Sequence, residues 1–508
     1  MRKIKMNKTR YIALLLAGTM TISCNLNLFP DSSISTEASM QSLEDCGKWR
    51  NGCYASMKYL TTGGFIYTTE LQTDLFHAVK NFGNFDGEFY HYHVTPSSEM
   101  PGIVWFGLYA YIANINKMIE GAEKFMNDAS LTQAERKTAA KYYGEGCFMR
   151  AFLYFNLAQY FCKDYDPATA SETLGVPIVT KWIPTTNKED FPARNSLKET
   201  FEQICDDIER AEKSLPDDFK SEATKRIYLN TDILKALKAR VALTMEDYKT
   251  AGTVAEELIN GKRYPLVKDK TAFAEGWIHD NLSEALWQVQ MKNPTDLGNS
   301  FKYFIYNNSG KEGKDNPQYV PEDKILDLYD QKRDIRYDAW FEKRRITTPV
   351  IGEVTLMIKY PGNPELNAQS ASSYVNKPKV FRIAEMYLIA AEAYAMQNDN
   401  TLSSKYLNDL REARIAKWTR IEYSGPRLME EIKKERIREL FCEGFRLNDL
   451  KRWHEGFTRS LGSPSVIMQG ENYAGASRKA DDPMFVWPIP IGEDEANGKI
   501  IQNEGYKN

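Results

Sequence analysis

The chain has 508 residues, of which 42% are hydrophobic and 27% are charged, and its formal net charge is −3. This composition is that of an ordinary globular protein, long enough to bury a large core. Proteins that bind nucleic acid need a basic surface, so this mildly acidic net charge argues against a nucleic-acid partner. It also argues against a basic patch that would bind a membrane surface.

The first 23 residues predict a targeting segment. They hold five basic residues and no acid, and the apolar run 11–17 leads through small and polar residues to Cys24. The run is shorter than the roughly 20 residues of a transmembrane helix, and the order is typical of a secretory signal peptide. Thr-Ile-Ser-Cys resembles a bacterial lipobox with Cys24 as the lipidated residue, although Thr21 replaces the usual Leu. The alternative is an ordinary signal peptide, with Cys24 as a thiol.

Apolar residues recur at helical spacing over several long stretches. These stretches predict helices at 42–60, 103–127, 132–161 and 196–215. Ser196 is followed three positions later by Glu199, which is the pattern of a capping box. Two helix–turn–helix units, 229–266 and 380–414, place small and aromatic residues where a tetratricopeptide repeat has them. The sequence therefore predicts a mainly α fold built from helical hairpins.

Two stretches lack this periodicity and predict irregular insertions. The first, about 74–102, is rich in Gly, Asn and aromatic residues. The second, about 268–378, is loop-rich and strand-poor, with one short strand predicted at 285–291 and one helix at 325–341. These insertions are the candidates for a ligand-facing side.

The insertions carry the candidate ligand-binding residues. Flat rings stack on sugar or peptide groups, while Asn side chains form hydrogen bonds to the same ligand. The candidates are Asn81, Phe82, Phe85, Tyr90 and Tyr92 of the first insertion and Tyr303 and Tyr306 of the second. These aromatic residues are closely spaced but show neither helical nor strand periodicity. We therefore expect them to form a platform that faces solvent. The alternative is that these rings plug the loop against the helices.

The sequence contains no common catalytic motif. GxSxG, P-loop, HExxH and glycine-rich dinucleotide patterns are absent. His91 and His93 lie on one side of an extended segment, but no third His or Cys follows at metal-ligand spacing. We therefore expect no metal and no cofactor. A glycoside hydrolase stays open as an alternative, because two carboxylates across a cleft would suffice for that reaction.

The most informative stretch is 433–456. Its spacing predicts a helix, a break at Gly444 and a second helix. Its charges alternate in sign every three positions, at Glu443, Arg446, Asp449 and Arg452. Neighbours on that face attract each other, and we expect Glu443 to pair with Arg446 or Arg438. A catalytic role for these carboxylates is the alternative to this structural ion-pair network.

This stretch resembles the C-terminal signature of the SusD/RagB family of outer-membrane nutrient-binding lipoproteins. The matching order is ER..EL..EG.R..DL.RW, from Glu435 to Trp453. LGVPIV at 174–179 resembles a recurrent family segment. The tail resembles the family ending, in which Trp487, Ile489 and Pro490 precede Asn497, Gln502, Asn503, Gly505 and Tyr506. The resemblance extends from Cys24 to Tyr506.

The resemblance implies tetratricopeptide-like helical hairpins in an α-α superhelix, with strand-poor insertions on the ligand side. It implies a signal peptide at 1–23 and one domain at 24–508. The helical repeats would lie at about 40–60, 103–161, 196–266 and 380–456.

The resemblance also implies a function. The chain would be a non-enzymatic lipoprotein, held on the outer face of the outer membrane by lipid on Cys24. It would capture oligosaccharides or oligopeptides and deliver them to a SusC-like TonB-dependent transporter. A surface glycoside hydrolase and a non-transport adhesin are the alternatives, and the sequence leaves open whether the ligand is a glycan or a peptide.

Overall fold

A computed structural model describes most of the chain. The described residues are 39–61, 63–291, 316–366, 375–460, 462–463, 465–467 and 477–506. The predicted signal peptide, Cys24, Tyr303 and Tyr306 lie outside them.

Helices dominate the described chain, which confirms the predicted mainly α class. They lie at Leu43–Leu60, Gly64–Leu71, Gly87–Tyr90, Glu99–Met126, Gln133–Phe161, Leu197–Glu212, Thr231–Thr244, Tyr248–Asn260, Lys270–Ile278, Asp323–Leu326, Ile335–Trp340, Ile383–Met396, Asn400–Arg414, Gly425–Glu439, Arg446–Arg452 and Ile491–Ala496. Within the described ranges, none of these helices is both long and apolar enough to cross a bilayer.

The strands are short and form antiparallel pairs. The pairs are Phe76–Ala78 with Tyr319–Pro321, Ala285–Gln288 with Lys379–Arg382, Phe341–Ile346 with Gly352–Met357, and Phe457–Thr458 with Ser477–Arg478. Two of these pairs join residues about 100 or more positions apart: the first joins the two insertions to each other, and the second joins the second insertion to the segment that enters the helix Ile383–Met396.

Local sequence explains where several helices begin. Thr132 and Ser196 are N-caps, and each forms a capping box with a glutamate three residues later. The hydroxyl of Ser196 accepts a hydrogen bond from the Glu199 N–H at 3.1 Å. The two tetratricopeptide-like units pack together through the helices Tyr248–Asn260 and Ile383–Met396. Small buried residues let these two helices approach closely: Ala251, Ala255, Ala390 and Ala393.

The predicted continuous helix at 325–341 is wrong. The chain forms two short helices there, because Asp330 and Asp334 hydrogen-bond backbone N–H groups between them. The Asp330 carboxylate accepts from the Arg333 N–H at 3.1 Å, and Asp334 accepts from the Arg336 N–H at 3.0 Å. Such side-chain bonds compete with a continuous helix. The strand pair that begins at Phe341 was not predicted.

A buried carboxylate lies at the centre of the signature. Glu439 is fully buried and contacts three guanidinium groups. The distances from its oxygens are 2.9 Å to Nη1 of Arg336, 2.7 Å to Nη1 of Arg382 and 2.9 Å to Nε of Arg414. Burial acts to raise the pKa of Glu439, but the three cations hold it well below its ordinary value. The signature thus forms buried ion pairs, as its structural interpretation expects.

The partners predicted for Glu443 are wrong. Glu443 pairs with Lys359 and Arg382, both at 2.6 Å. Arg446 pairs instead with Asp74 at 2.9 Å, and Arg438 pairs with Glu435. The reason is the left-handed turn at Gly444 (φ 84°), which ends the helical periodicity on which the predicted pairing relied. The predicted neighbour pair of Asp449 with Arg452 is present at 2.8 Å.

The turn at Gly444 is also bonded to a buried glutamate. One carboxyl oxygen of Glu70 accepts from the N–H groups of Gly444 and Phe445, at 2.5 and 3.2 Å. Its other oxygen has no hydrogen-bond partner in the described chain. Burial raises the pKa of Glu70 to about 8, although both N–H groups act to lower it. Burial therefore favours the neutral form of the carboxyl group that holds the signature turn.

We expect Glu439→Ala to lower the free energy of unfolding by about 3–5 kcal/mol, because it removes the one carboxylate that bonds three buried arginines at once and leaves their positive charges in excess. Urea unfolding followed by circular dichroism measures the change. The matched control is Glu430→Ala on the same helix, where the side chain is exposed and pairs with Lys434, and it should change stability by less than about 0.5 kcal/mol. Equal stability of both variants would contradict the central role of Glu439.

The raised pKa of Glu70 predicts a pH dependence. Between the ordinary pKa of an unfolded glutamate and pH 8, the folded chain keeps a proton that the unfolded chain releases. The free energy of unfolding therefore falls as the pH rises through this window, by about 1.4 kcal/mol per pH unit from this group.

Glu70→Gln keeps an oxygen acceptor for Gly444 and removes the titration, so it should reduce this loss of stability. Urea unfolding at pH 5, 6.5 and 8 tests the expectation, with the exposed Glu44→Gln as control. The same pH slope in wild type and Glu70→Gln would count against it.

Candidate ligand-binding site

Strand pairing brings the two predicted insertions together. Phe76–Ala78 runs antiparallel to Tyr319–Pro321, with Ala78 opposite Tyr319. The N–H of Val79 continues the ladder and donates to the Gln318 carbonyl at 2.9 Å. The aromatic loop that follows Val79 is therefore placed beside the described end of the second insertion.

The loop at 81–86 has a defined left-handed backbone. Asn81, Asn84 and Asp86 have φ values of 63°, 54° and 50°. Asn and Asp adopt this region more readily than other residues with a side chain. The sequence thus supplies, at three positions, residues suited to these tight turns.

Hydrogen bonds from neighbouring segments fasten this loop. The Gly83 N–H donates to Oε1 of Gln318 at 2.5 Å, and the Tyr319 hydroxyl donates to the Phe85 carbonyl at 2.6 Å. The Tyr67 hydroxyl donates to Asp86 at 2.9 Å, while burial raises the pKa of that carboxyl group. The loop is therefore bonded to other segments at its middle and at its end.

The loop presents rings and amides to solvent. Phe85 is 47% exposed, Asn81 and Asn84 are exposed, and Phe82 is half-buried. The Phe82 ring lies 5.4 Å from the Tyr319 ring and 6.3 Å from the His91 ring. The His91 ring stacks on that of exposed His93 at 5.8 Å. We call this set the loop surface: Asn81, Phe82, Asn84, Phe85, His91 and His93.

The expectation that Tyr90 and Tyr92 face solvent is wrong. Their side chains are 0% and 3% exposed. The Arg459 guanidinium lies 3.9 Å from the Tyr90 ring centre, and the Arg478 guanidinium lies 3.9 Å from that of Tyr92. Tyr90 ends the short helix Gly87–Tyr90, which directs its ring into the core. The hydroxyl of Tyr92 donates a hydrogen bond to the Gln72 carbonyl. For these two residues the alternative, in which rings plug the loop against the core, is correct.

Sequence reasoning missed two residues that shape the loop surface. Gln318 and Tyr319 were not singled out, because they reach the loop from more than 200 positions away in the sequence. His91 and His93 were considered only as metal ligands. Among the described residues, no group of three or more His, Cys, Asp and Glu is arranged to hold a metal ion. Tyr303 and Tyr306 lie outside the described residues and stay predictions.

A buried polar cluster lies beneath the loop surface. Nε2 of His77 is 3.3 Å from the Ser460 hydroxyl and 3.5 Å from Glu322, and that hydroxyl donates to Glu322 at 3.0 Å. Burial lowers the pKa of His77 to about 4 and raises that of Glu322 to about 7. In a catalytic triad, serine and acid contact opposite ring nitrogens. Here both contact the same nitrogen, and both His77 and Glu322 are buried. The cluster therefore joins three segments that are distant in the sequence and lacks the arrangement of a triad.

Comparison with known proteins gives consistent matches over most of the chain. The family model described as "SusD family" matches residues 353–506. A second one, described as "Starch-binding associating with outer membrane", matches residues 26–241. The chain is 23% identical to SusD-like protein P38 of Formosa agariphila, and the alignment covers 100% of both chains.

Solved structures share the fold. A SusD superfamily protein from Bacteroides thetaiotaomicron is 25% identical, with a TM-score of 0.77 over 91% of this chain and 99% of that one. A SusD-like carbohydrate binding protein from Bacteroides vulgatus is 20% identical, with a TM-score of 0.71 over 90% of this chain and 97% of that one. The helical architecture is therefore that of the SusD superfamily.

The structure predicts opposite roles for two rings of the loop. Tyr90→Ala should lower the free energy of unfolding by about 3–5 kcal/mol, because it empties a fully buried site. Phe85→Ala should change it by less than about 1 kcal/mol, because its ring is half exposed. Urea unfolding of both variants checks the contrast. Equal losses in the two variants would show that the Phe85 ring also belongs to the core.

Proposed function

Because the chain belongs to the SusD/RagB family, we propose that it is a cell-surface lipoprotein that binds carbohydrate at the loop surface and delivers it to a SusC-like TonB-dependent transporter. The observation that carries the binding step is that Phe85, Asn81 and Asn84 are all exposed on one short loop. A sugar ring has an apolar face that stacks on Phe85 and hydroxyl groups that bond to the amides.

The fastened loop supports this proposal energetically. A ligand that orders a flexible loop must offset the lost conformational freedom, and a loop held in place avoids that cost. Bonds from Gln318, Tyr319 and Tyr67 hold the loop from outside its own sequence. The ring of Tyr319 also contacts the ring of Phe82 in the loop.

Carbohydrate is favoured over peptide on two grounds. One matching family is described as starch-binding, and a protein of similar fold is named a carbohydrate binding protein. The loop surface consists of amides, phenylalanines and histidines. A neutral oligosaccharide fits such a surface, because amides bond its hydroxyl groups and rings stack on its apolar faces.

The anchoring and delivery steps rest on the sequence and the family. The signal-like segment ends at Cys24 in a lipobox-like sequence, and a matching family is described as associating with the outer membrane. The proposed chain has lipid on Cys24, faces the exterior and has no catalytic step. Its ligand is held by binding alone and released to the transporter.

We expect Phe85→Ala to weaken carbohydrate binding by about 1–3 kcal/mol, because one stacking ring is lost. Isothermal titration of the mature protein with maltoheptaose, laminarihexaose and cellohexaose measures the change, and a mixture of tripeptides tests the alternative ligand. Tyr59→Ala is the matched control, since its ring is 48% exposed on the helix Leu43–Leu60. Binding that survives in Phe85→Ala would place the site elsewhere, and binding of tripeptides alone would exclude the carbohydrate assignment.

We expect Cys24→Ala to release the protein from membranes, because it removes the thiol that would carry the lipid. Fractionation of cells and labelling with a palmitate analogue measure attachment, with Cys205→Ala as the control at a cysteine within the fold. Full membrane attachment with lipid label in Cys24→Ala would contradict the lipoprotein assignment.

A further inference from the structure

An open groove lies between the helices Leu43–Leu60 and Glu99–Met126. It has a volume of about 320 Å³. One water needs roughly 10–15 Å³ of such space, so the groove has room for several side chains. None of its lining residues is charged, and none belongs to the loop surface.

The groove has an apolar floor and an open edge. The floor consists of side chains that are at most 4% exposed: Cys53, Met57 and Ile115. Nε1 of Trp49 donates to the Asn114 carbonyl at 2.9 Å, which joins the two helices at one end of the groove. Gly52 is exposed at the edge, where an added side chain would meet no atom within 4 Å. Apolar side chains could therefore enter from solvent and lie on this floor.

An uncharged stripe continues from the groove along the helix Glu99–Met126. This helix has no charged residue from 100 to 116, although 27% of the whole chain is charged. Its exposed residues there recur at helical spacing: Ile103, Phe106, Ala110 and Asn114. Ile103 and Phe106 are each 47% exposed, and Asn114 lines the groove. A continuous exposed apolar surface of this kind is typical of a contact surface.

The described chain begins beside one end of the same helix pair. Met40 is buried in one cluster with Ala122, near the end of the helix Glu99–Met126. At 1.5 Å per residue, about 12 Å of helix separate Ala122 from Asn114. An extended chain covers this distance in about four residues. The segment 25–38, which precedes Met40 directly, is therefore long enough to reach the groove and to follow it.

The composition of this segment matches the groove. Residues 25–36 carry a single charge, at Asp31, and four large apolar residues: Leu26, Leu28, Phe29 and Ile34. Burial of such side chains on an apolar floor is favourable, and the uncharged lining leaves no charged group to desolvate. A short tether also gives the segment a local concentration on the order of millimolar. The segment therefore meets the groove far more often than a second copy of the chain does.

We propose that the segment 26–36 of the mature chain lies in this groove, with Leu28 and Phe29 packed between the two helices. This docking does not rest on the proposed function. One consequence does: the lipid proposed on Cys24 then leaves the protein toward the Phe106 end of the stripe. The docked segment thus sets where the anchor meets the folded chain.

The first test maps the contact directly. The mature protein with Cys24→Ser needs no lipid, and the photo-cross-linking residue p-benzoylphenylalanine replaces Phe29 in it. After irradiation, peptide mass spectrometry should find cross-links within one molecule, to residues 49–57 or 103–115. Cross-links between two molecules would identify a second copy as the occupant and overturn the proposal. Cross-links to other parts of the chain, or none, would overturn it as well.

The second test uses thermolysin, which cleaves before Leu, Phe and Ile and reaches the segment only when it leaves the groove. Gly52→Glu places a charge in the groove at a position with open space. It should speed cleavage about tenfold, which corresponds to a loss of about 1.4 kcal/mol of docking free energy. The matched control is Asn51→Glu, an exposed neighbour that does not line the groove, and it should leave the rate unchanged. Equal rates in wild type and Gly52→Glu, or equal acceleration in both variants, would contradict the docking.

Discussion

The contact between Glu439 and three buried arginines is the constraint on which the architecture depends. The arginines lie on the helix Ile335–Trp340, the strand Lys379–Arg382 and the helix Asn400–Arg414, and the carboxylate ends the helix Gly425–Glu439. A buried charge without its partner is strongly destabilising. All four segments must therefore reach their positions together, which sets their mutual arrangement more narrowly than apolar packing alone.

The same signature reaches the loop surface through a short chain of contacts. Beyond Glu439, the turn at Gly444 is bonded to Glu70, and Arg446 pairs with Asp74. Asp74 is two residues before the strand Phe76–Ala78, whose pairing with Tyr319–Pro321 leads directly into the loop at 81–86. The charge network is not part of the loop surface. It holds in place the strand Phe76–Ala78, from which the loop continues. Under the proposed function, this link connects the charged signature to the loop without any charged group of the signature contacting ligand.

Local signals predicted the regular parts of the fold. The capping box at Ser196 and the small residues of the tetratricopeptide-like units act within a few residues or one helical turn, so the sequence alone reveals them. The partner of Glu443 was mispredicted because the turn at Gly444 breaks the periodicity behind that prediction. The burial of Tyr90 and Tyr92 depends on Arg459 and Arg478, and the shape of the loop depends on Gln318 and Tyr319. Such contacts join distant segments and leave no local pattern, so the sequence alone could not show which rings of this loop face solvent.

The measurement that most directly tests this account is native-state hydrogen exchange of the unliganded protein. If the buried ion pairs set the architecture, the amides of the helices Ile383–Met396 and Gly425–Glu439 exchange only through global unfolding, which gives the slowest rates in the chain. The amides of the loop at 81–86 should exchange through smaller local openings. Exchange of the helix Gly425–Glu439 as fast as that of the loop would contradict the account, because the network would then open without unfolding the segments it joins.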